Sequence, residues 1–401
     1  MRVLALSSWW FFPADNGARM RCSSLLAALA KHHEVHLLAF TQEAITTAQR
    51  EQAQNIFKSV NDIPQKIWVP KPFEQISSLW HNTPASVRAS FDPQADALIQ
   101  KTVATIEPDL VIAVANHMIP YARRVQGIRR VVDDLEITNI LDAYRNTSAG
   151  RRVRNWLTWI KLQSYMRDVL QSFDLCTVTS RREKEYVVRL APAGLQVEVI
   201  PNGALVEDTI PDVKPDQNTL IYPGALSFSA NMDAMRYFLH DIFPQVRAQK
   251  PELRLRITGK TTQEQRNALP HIDGIEFTGY VEDIRTAVAS AWAEVVPLRE
   301  GAGTRLKILE ALALGTPVIA TTKGAEGLEL VNGQDLLIAD TPQQFVEATL
   351  RLLNDPSLRM SLGQRGQQSV RERYNWYEIG KQYTHLISQI GVRAEHERLS
   401  V

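Results

Sequence analysis

Residues 298–324 read LREGAGTRLKILEALALGTPVIATTKG. Gly301 and Gly303 let backbone approach a ligand closely, and the apolar spacing that follows predicts a helix over 304–314 with Thr304 as its N-cap. Such a helix turns unpaired N–H groups and the positive end of its dipole toward the loop before it, which makes an anion site. Arg305 and Lys307 fall in the first turn, where cations oppose the dipole. A ligand with more than one negative charge would neutralise both. Glu310 follows about 9 Å along the axis from Thr304, at about 1.5 Å per residue. Its carboxylate would repel a phosphate but accept hydrogen bonds from vicinal hydroxyls. Phosphate followed by ribose meets both demands. The competing reading is an ordinary surface helix with a Lys307–Glu310 pair, which is common and weak.

Outward from this stretch, apolar β-rich runs alternate with amphipathic segments. VLALSSWWF at 3–11, EVHLLAF at 34–40, PDLVIAVAN at 108–116, RRVVDDL at 129–135 and DLCTVTS at 174–180 form one series, with a helix from about 19 to 32 after the first run. LIYPGAL at 220–226, LRLRITGK, IEFTGYV, AEVVPL and PVIAT form a second, with helices over about 233–248 and 304–314. This is the rhythm of βαβ units over parallel sheets. Between 198 and 220, three prolines and no helical period mark a linker. The chain therefore reads as two doubly wound α/β domains, 1–203 and 204–373, and ligands of such sheets sit at the carboxyl ends of strands.

The 401 residues carry a net charge of +1, divided as 24 basic against 19 acidic residues over 1–200 and 21 against 25 over 201–401. So even a balance argues against a nucleic-acid partner and allows weak docking to an anionic surface. Two cysteines, Cys22 and Cys176, are too few for a disulfide framework and lack metal-ligand spacing, so a reducing cytoplasm is the simplest setting. Arg2 with VLALSSWWFF resembles a short signal peptide but lacks a cleavage pattern, and a first buried strand is the better reading. No apolar run reaches the roughly 18 residues that span a bilayer.

RRVRNWLTWIKLQSYMRDVL at 151–170 places Trp156, Trp159, Ile160 and Leu162 near helical spacing, with Arg151, Arg152, Arg154, Lys161 and Arg167 between them. We read a domain helix with its tryptophans in the core and its arginines in water, against the alternative of a membrane-surface helix.

IPNGA at 200–204, FTGYVEDI at 277–284, the 297–321 stretch and GAEGL at 324–328 together resemble glycosyltransferase family 4, in particular a subgroup with a GTRLK loop. In the first half, FPADNGARMR at 12–21 resembles the family's glycine loop after the first strand, and NHMIPYA at 116–122 the segment beside the transferred sugar. The resemblance implies a GT-B fold, two Rossmann-like doubly wound parallel-sheet domains facing across a cleft, with a C-terminal helix at about 374–392 crossing back to the first. It implies a retaining enzyme that moves a sugar from a nucleoside diphosphate to an acceptor hydroxyl without a metal or other cofactor. The acceptor would be a sugar, a lipid-linked molecule or a small metabolite, and the setting the cytoplasm or the cytoplasmic face of a membrane.

Carried over by position, Glu310 would bind the donor ribose; Gly279, Tyr280 and Val281 would lie along the base; Gly17 would face the phosphates; and His117 would meet the sugar. Arg305 and Lys307 would supply the phosphate charge that family members draw from an Arg and a Lys after the first strand of the second domain, where YPGALSFSANMDAM offers no cation. The family's earlier glutamate is replaced by Ala302, so either Glu300 or the backbone N–H groups of Gly301, Ala302, Gly303 and Thr304 would hold the sugar. Trp9, Trp10, Asp15, Arg19 and Arg21 would stand on the acceptor side, although strand-end packing for the aromatics and solvent for the arginines are equally open. An epimerase or hydrolase of the same fold, or a non-catalytic two-lobed binding protein, are the competing functions. A nicotinamide dehydrogenase would need a G-x-G-x-x-G after the first strand, which this chain lacks.

Overall fold

The computed structural model describes residues 1–65, 87–88, 91–145, 149–207, 209–301 and 303–399, with the side chains of 149–151 and 392–399 excluded. The chain divides into two compact units, Met1–Pro201 with Ile379–Val401, and Asn202–Glu378.

In the first unit, β1 (Arg2–Ser7), β2 (Glu34–Thr41), β3 (Ser59–Pro64), β4 (Leu110–Val114), β5 (Arg129–Asp133), β6 (Leu175–Val178) and β7 (Gln196–Val199) form a parallel sheet in the order 3-2-1-4-5-6-7. Val3 and Ala5 on one face of β1, and Leu4 and Leu6 on the other, are all sealed from solvent. A strand covered on both faces reads as an unbroken apolar run, which is why these strands show in the sequence. The run weighed as a leader forms β1, an inner strand paired with β2 on one side and β4 on the other.

The second unit repeats the plan with β8 (Asp216–Pro223), β9 (Arg254–Thr258), β10 (Ile275–Gly279), β11 (Ala291–Val296), β12 (Val318–Ala320) and β13 (Leu337–Ile338), parallel in the order 10-9-8-11-12-13. In both sheets the chain runs outward to one edge and returns beside its first strand to build the other half. The topological switch points therefore lie between β1 and β4, and between β8 and β11, where the crevices of open parallel sheets form.

Several helices differ from expectation. The first starts at Gly17 because Asn16 caps it, its side chain accepting from the Arg19 N–H at 3.1 Å. The helix expected over 233–248 begins at Ser229 and passes through a π-helical turn at Phe238–Ile242 before Pro244. In the helix Ala149–Val169, Trp159 and Leu162 are buried as expected, but Trp156 and Ile160 are exposed at 44% and 43%. No helix among the described residues is long and apolar enough to cross a membrane.

Candidate functional site

At the second switch point, β8 delivers the turn Pro223-Gly224-Ala225 and β11 delivers the loop from Pro297. The helix that follows runs Leu306–Ala313, two residues later than expected, with Arg305 at the capping position. Thr304 is not the cap. Its carbonyl accepts from the Leu306 N–H in a turn, and the N-terminus has no side-chain cap. Backbone donors at that end are left to solvent or a ligand.

Arg305 folds back under the loop. It is 9% exposed, its Nη2 donates to the Glu300 carbonyl at 3.3 Å, and a Cβ on Gly301 would stand 2.9 Å from that nitrogen. Gly301 at φ 101° therefore lets the loop wrap a guanidinium that any other residue would displace. The glycine is required by an arginine of its own loop, which the sequence does not disclose.

Lys307 takes the other direction and bridges both loops of the switch point. Its Nζ lies 4.1 Å from the centroid of the Tyr222 ring and 3.5 Å from Asn231 Oδ1, and would be 2.8 Å from a Cβ on Gly224. Burial holds its pKa down to about 8, with the charge of Arg305 pushing the same way and Glu294 and Glu310 opposing. Glu294 on β11, which interacts with it electrostatically, is fully buried with neither carboxylate oxygen hydrogen-bonded to a described residue, and burial raises its pKa well above the ordinary value while Lys307 draws it back. Glu294 went unnoticed in the sequence. Its one signal is a lone carboxylate in the apolar run AWAEVV.

Glu310 stands one turn after Lys307 on the same helix, half-buried, with its pKa raised by burial and lowered by Lys307. Its carboxylate accepts no hydrogen bond from a described residue. A carboxylate part-way out of water without donors is matched by hydroxyls from outside the chain. Farther along the strand ends, Gly279 closes β10 at φ 70° and Tyr280 is 73% exposed, with Lys260 Nζ 6.0 Å over its ring. Val281 is half-buried, Gly303 and Glu300 are exposed, and Ala302 lies outside the described residues.

In the first unit, Ala115 ends β4 at φ 67°, a conformation that costs a non-glycine residue about 1–3 kcal/mol and tends to mark functional turns. It throws Asn116 and His117 onto a short 3-10 turn at the switch point, with His117 exposed. Ser8, in the loop after β1, donates to the Val114 carbonyl and ties the two strand ends together. Gly17 is the first helical residue, and Asp15 pairs with Arg19 at 2.9 Å in solvent.

Two acceptor-side expectations fail here. Arg21 is 0% exposed: Nη2 donates to Asp133 at 2.9 Å and Nη1 to the Ile200 carbonyl at 2.7 Å, so it knits β5 to the chain after β7. Trp10 is buried with Phe11 and Phe12, which pack on Phe57, so the aromatic cluster is largely strand-end core and only Trp9 is half-exposed.

Residues 217–355 match the family model Glycosyl transferases group 1. A GDP-mannose-dependent monoacylated alpha-(1-6)-phosphatidylinositol monomannoside mannosyltransferase of Corynebacterium glutamicum is 29% identical over 36% of this chain and 41% of its own. Sucrose-phosphate synthase from Thermosynechococcus elongatus superposes with a TM-score of 0.70 at 18% identity, over 98% of this chain and 100% of that one. Anabaena HepE in complex with UDP superposes with a TM-score of 0.67 at 15% identity, over 97% and 100%. Three curated relatives are matched over only 33%, 41% and 47% of their own length. The fold, two parallel-sheet α/β units, is that of the GT-B glycosyltransferases, and its second unit carries the match to the glycosyl transferases group 1.

Proposed function

We propose that the protein is a retaining glycosyltransferase of family 4, moving a hexose-type sugar from a nucleoside diphosphate to an acceptor hydroxyl in polysaccharide, glycolipid or metabolite synthesis. One observation carries the reading. Inside the segment that matches the family model, Lys307 bridges the two loops of a switch point, and one turn beyond it the Glu310 carboxylate has no hydrogen-bond partner among the described residues. That supplies a cation for phosphate and an acceptor for ribose in the order a nucleotide presents them.

As the sugar–oxygen bond breaks, negative charge grows on the departing β-phosphate, and Lys307 with the uncapped helix N-terminus stabilises it. Arg305 adds positive charge from beneath and keeps the loop in shape. Glu310 accepts from the ribose, Tyr280 with Gly279 and Val281 flanks the base, and Glu300 or the N–H groups of residues 301–304 hold the sugar. In the first unit, His117 orients the sugar, and the loop of Gly17, with Trp9, Asp15 and Arg19, meets the acceptor. None of these groups is assigned as a covalent nucleophile. Retention follows from same-face attack within an ion pair, a phosphate oxygen of the leaving group taking the acceptor proton. No metal takes part.

UDP, held by the Anabaena structure, and GDP, named for the mannosyltransferase, are the first nucleotides to try. Following the anomeric proton of a UDP-sugar by NMR in EDTA, during slow transfer to water or to a simple alcohol, tests the proposal. An α-linked donor should yield an α product. A β product, or turnover only with added divalent cation, overturns retention or metal independence respectively.

A further inference from the structure

The helix Ala149–Val169 carries two apolar faces where a domain helix needs one. Trp159, Leu162, Met166 and Val169 bury the first in the core of the unit. Val153, Trp156 and Ile160 form a second, exposed at 65%, 44% and 43%. At about 100° per residue these three point the same way, nearly opposite Leu162. Arg152 borders this strip on one side, and Arg154 and Lys161 on the other, while no Asp or Glu occurs between Ala149 and Asp168. Arg152 and Arg154 are exposed.

We propose that this face docks the protein on an anionic lipid surface. The charge pattern selects the occupant. Cations flanking an apolar strip on both sides match negative headgroups around an acyl-chain boundary, and arginine stems let the charge stay at headgroup level while the strip sinks. Tryptophan suits that depth, its ring in the apolar layer and its N–H among polar groups. A second copy of the chain is a poorer occupant, since a stable dimer buries about 800 Å² per partner and three side chains on one helix supply a fraction of it. Because no described helix can cross the bilayer, the contact is one that lies on it.

Flotation of the full-length protein with vesicles tests the assignment without nucleotide, so its failure is separate from failure of the proposed activity. With phosphatidylcholine containing about a third phosphatidylglycerol, recovery should exceed that with phosphatidylcholine alone by about fivefold or more, and should fall as salt rises. The double change Trp156→Ser with Ile160→Ser should cut binding about tenfold with an unchanged melting midpoint, since both side chains are exposed. Arg152→Gln with Arg154→Gln should erase the preference for the anionic lipid. Equal recovery on both vesicle types, or a double variant that binds as the parent does, overturns the proposal. So does a dimer, seen by sedimentation and lost in the double variant, in a protein that ignores vesicles.

Discussion

The ammonium of Lys307 lies 4.1 Å from the centroid of the Tyr222 ring and is drawn electrostatically to the fully buried carboxylate of Glu294. A cation held over an aromatic face at the carboxyl end of a parallel sheet is partly desolvated, which makes it costly to the fold and strong toward an anion. Its removal separates the two effects. Lys307→Met should weaken nucleoside diphosphate binding about tenfold or more, about 1.4 kcal/mol, as measured by calorimetry, while the melting midpoint holds or rises. A fall in midpoint with unchanged affinity would make Lys307 structural.

The same group sets a pH window. Its folded pKa of about 8 lies below the ordinary 10.5, so the cation is nearly complete at about pH 7 and is lost as pH rises through about 8. Nucleotide affinity should therefore decline between about pH 7 and pH 9. The sign for stability is opposite: charged Lys307 costs the fold below pH 8, and the cost fades as pH approaches 10.5. The stabilising effect of Lys307→Met should shrink over that range, and thermal melts at several pH values check it.

Gly224→Ala tests the bridge between the loops. Its Cβ would meet Lys307 Nζ at 2.8 Å and Asn231 Nδ2 at 2.9 Å, both ends of side chains that can move. The variant should fold, displace Lys307 and lose nucleotide affinity about as Lys307→Met does. Wild-type affinity would show that the lysine's present position is not the binding one.

Glu310 predicts a preference that other groups do not. The wild type should bind UDP more tightly than 2′-deoxy-UDP by about fivefold or more, because a half-buried carboxylate loses a donor. In Glu310→Ala that difference should vanish. Its persistence would move the ribose contact elsewhere.

Arg21 belongs to the fold. Arg21→Met leaves Asp133 buried beside Thr177 without its counter-charge and should cost about 3–5 kcal/mol in urea unfolding. Arg21→Met with Asp133→Leu should recover part of this loss. Normal stability in the single variant would show that the pair adds nothing net to the fold.

These residues also show how far the sequence could be read. The inner strands of both sheets were legible because parallel strands sealed on two faces leave apolar runs, while the edge strands β3, β7 and β13 went unread because they are short or only part-buried, and the loop before the Leu306 helix was legible because glycines and a helix start are local signals. Glu294 was not, since a carboxylate in a strand meets Lys307 only when β11 and the next helix pack together. Arg21 read as an acceptor-side or solvent group because its partner lies 112 residues away. Trp156 and Trp159 share a helical period, and spacing alone cannot tell which of two apolar faces reaches the core. Thr304 has the chemistry of a cap, but the buried Arg305 claims the turn and moves the helix start onward.

The central claim is a nucleoside diphosphate site at the switch point between β8 and β11. Calorimetric titration of the wild type and Glu310→Ala with UDP, GDP, TDP, ADP and NAD tests it most directly. The account predicts that one nucleoside diphosphate binds well ahead of the others and of NAD, and that Glu310→Ala weakens it about tenfold. Binding of NAD alone, or a nucleotide affinity indifferent to Glu310, would contradict it.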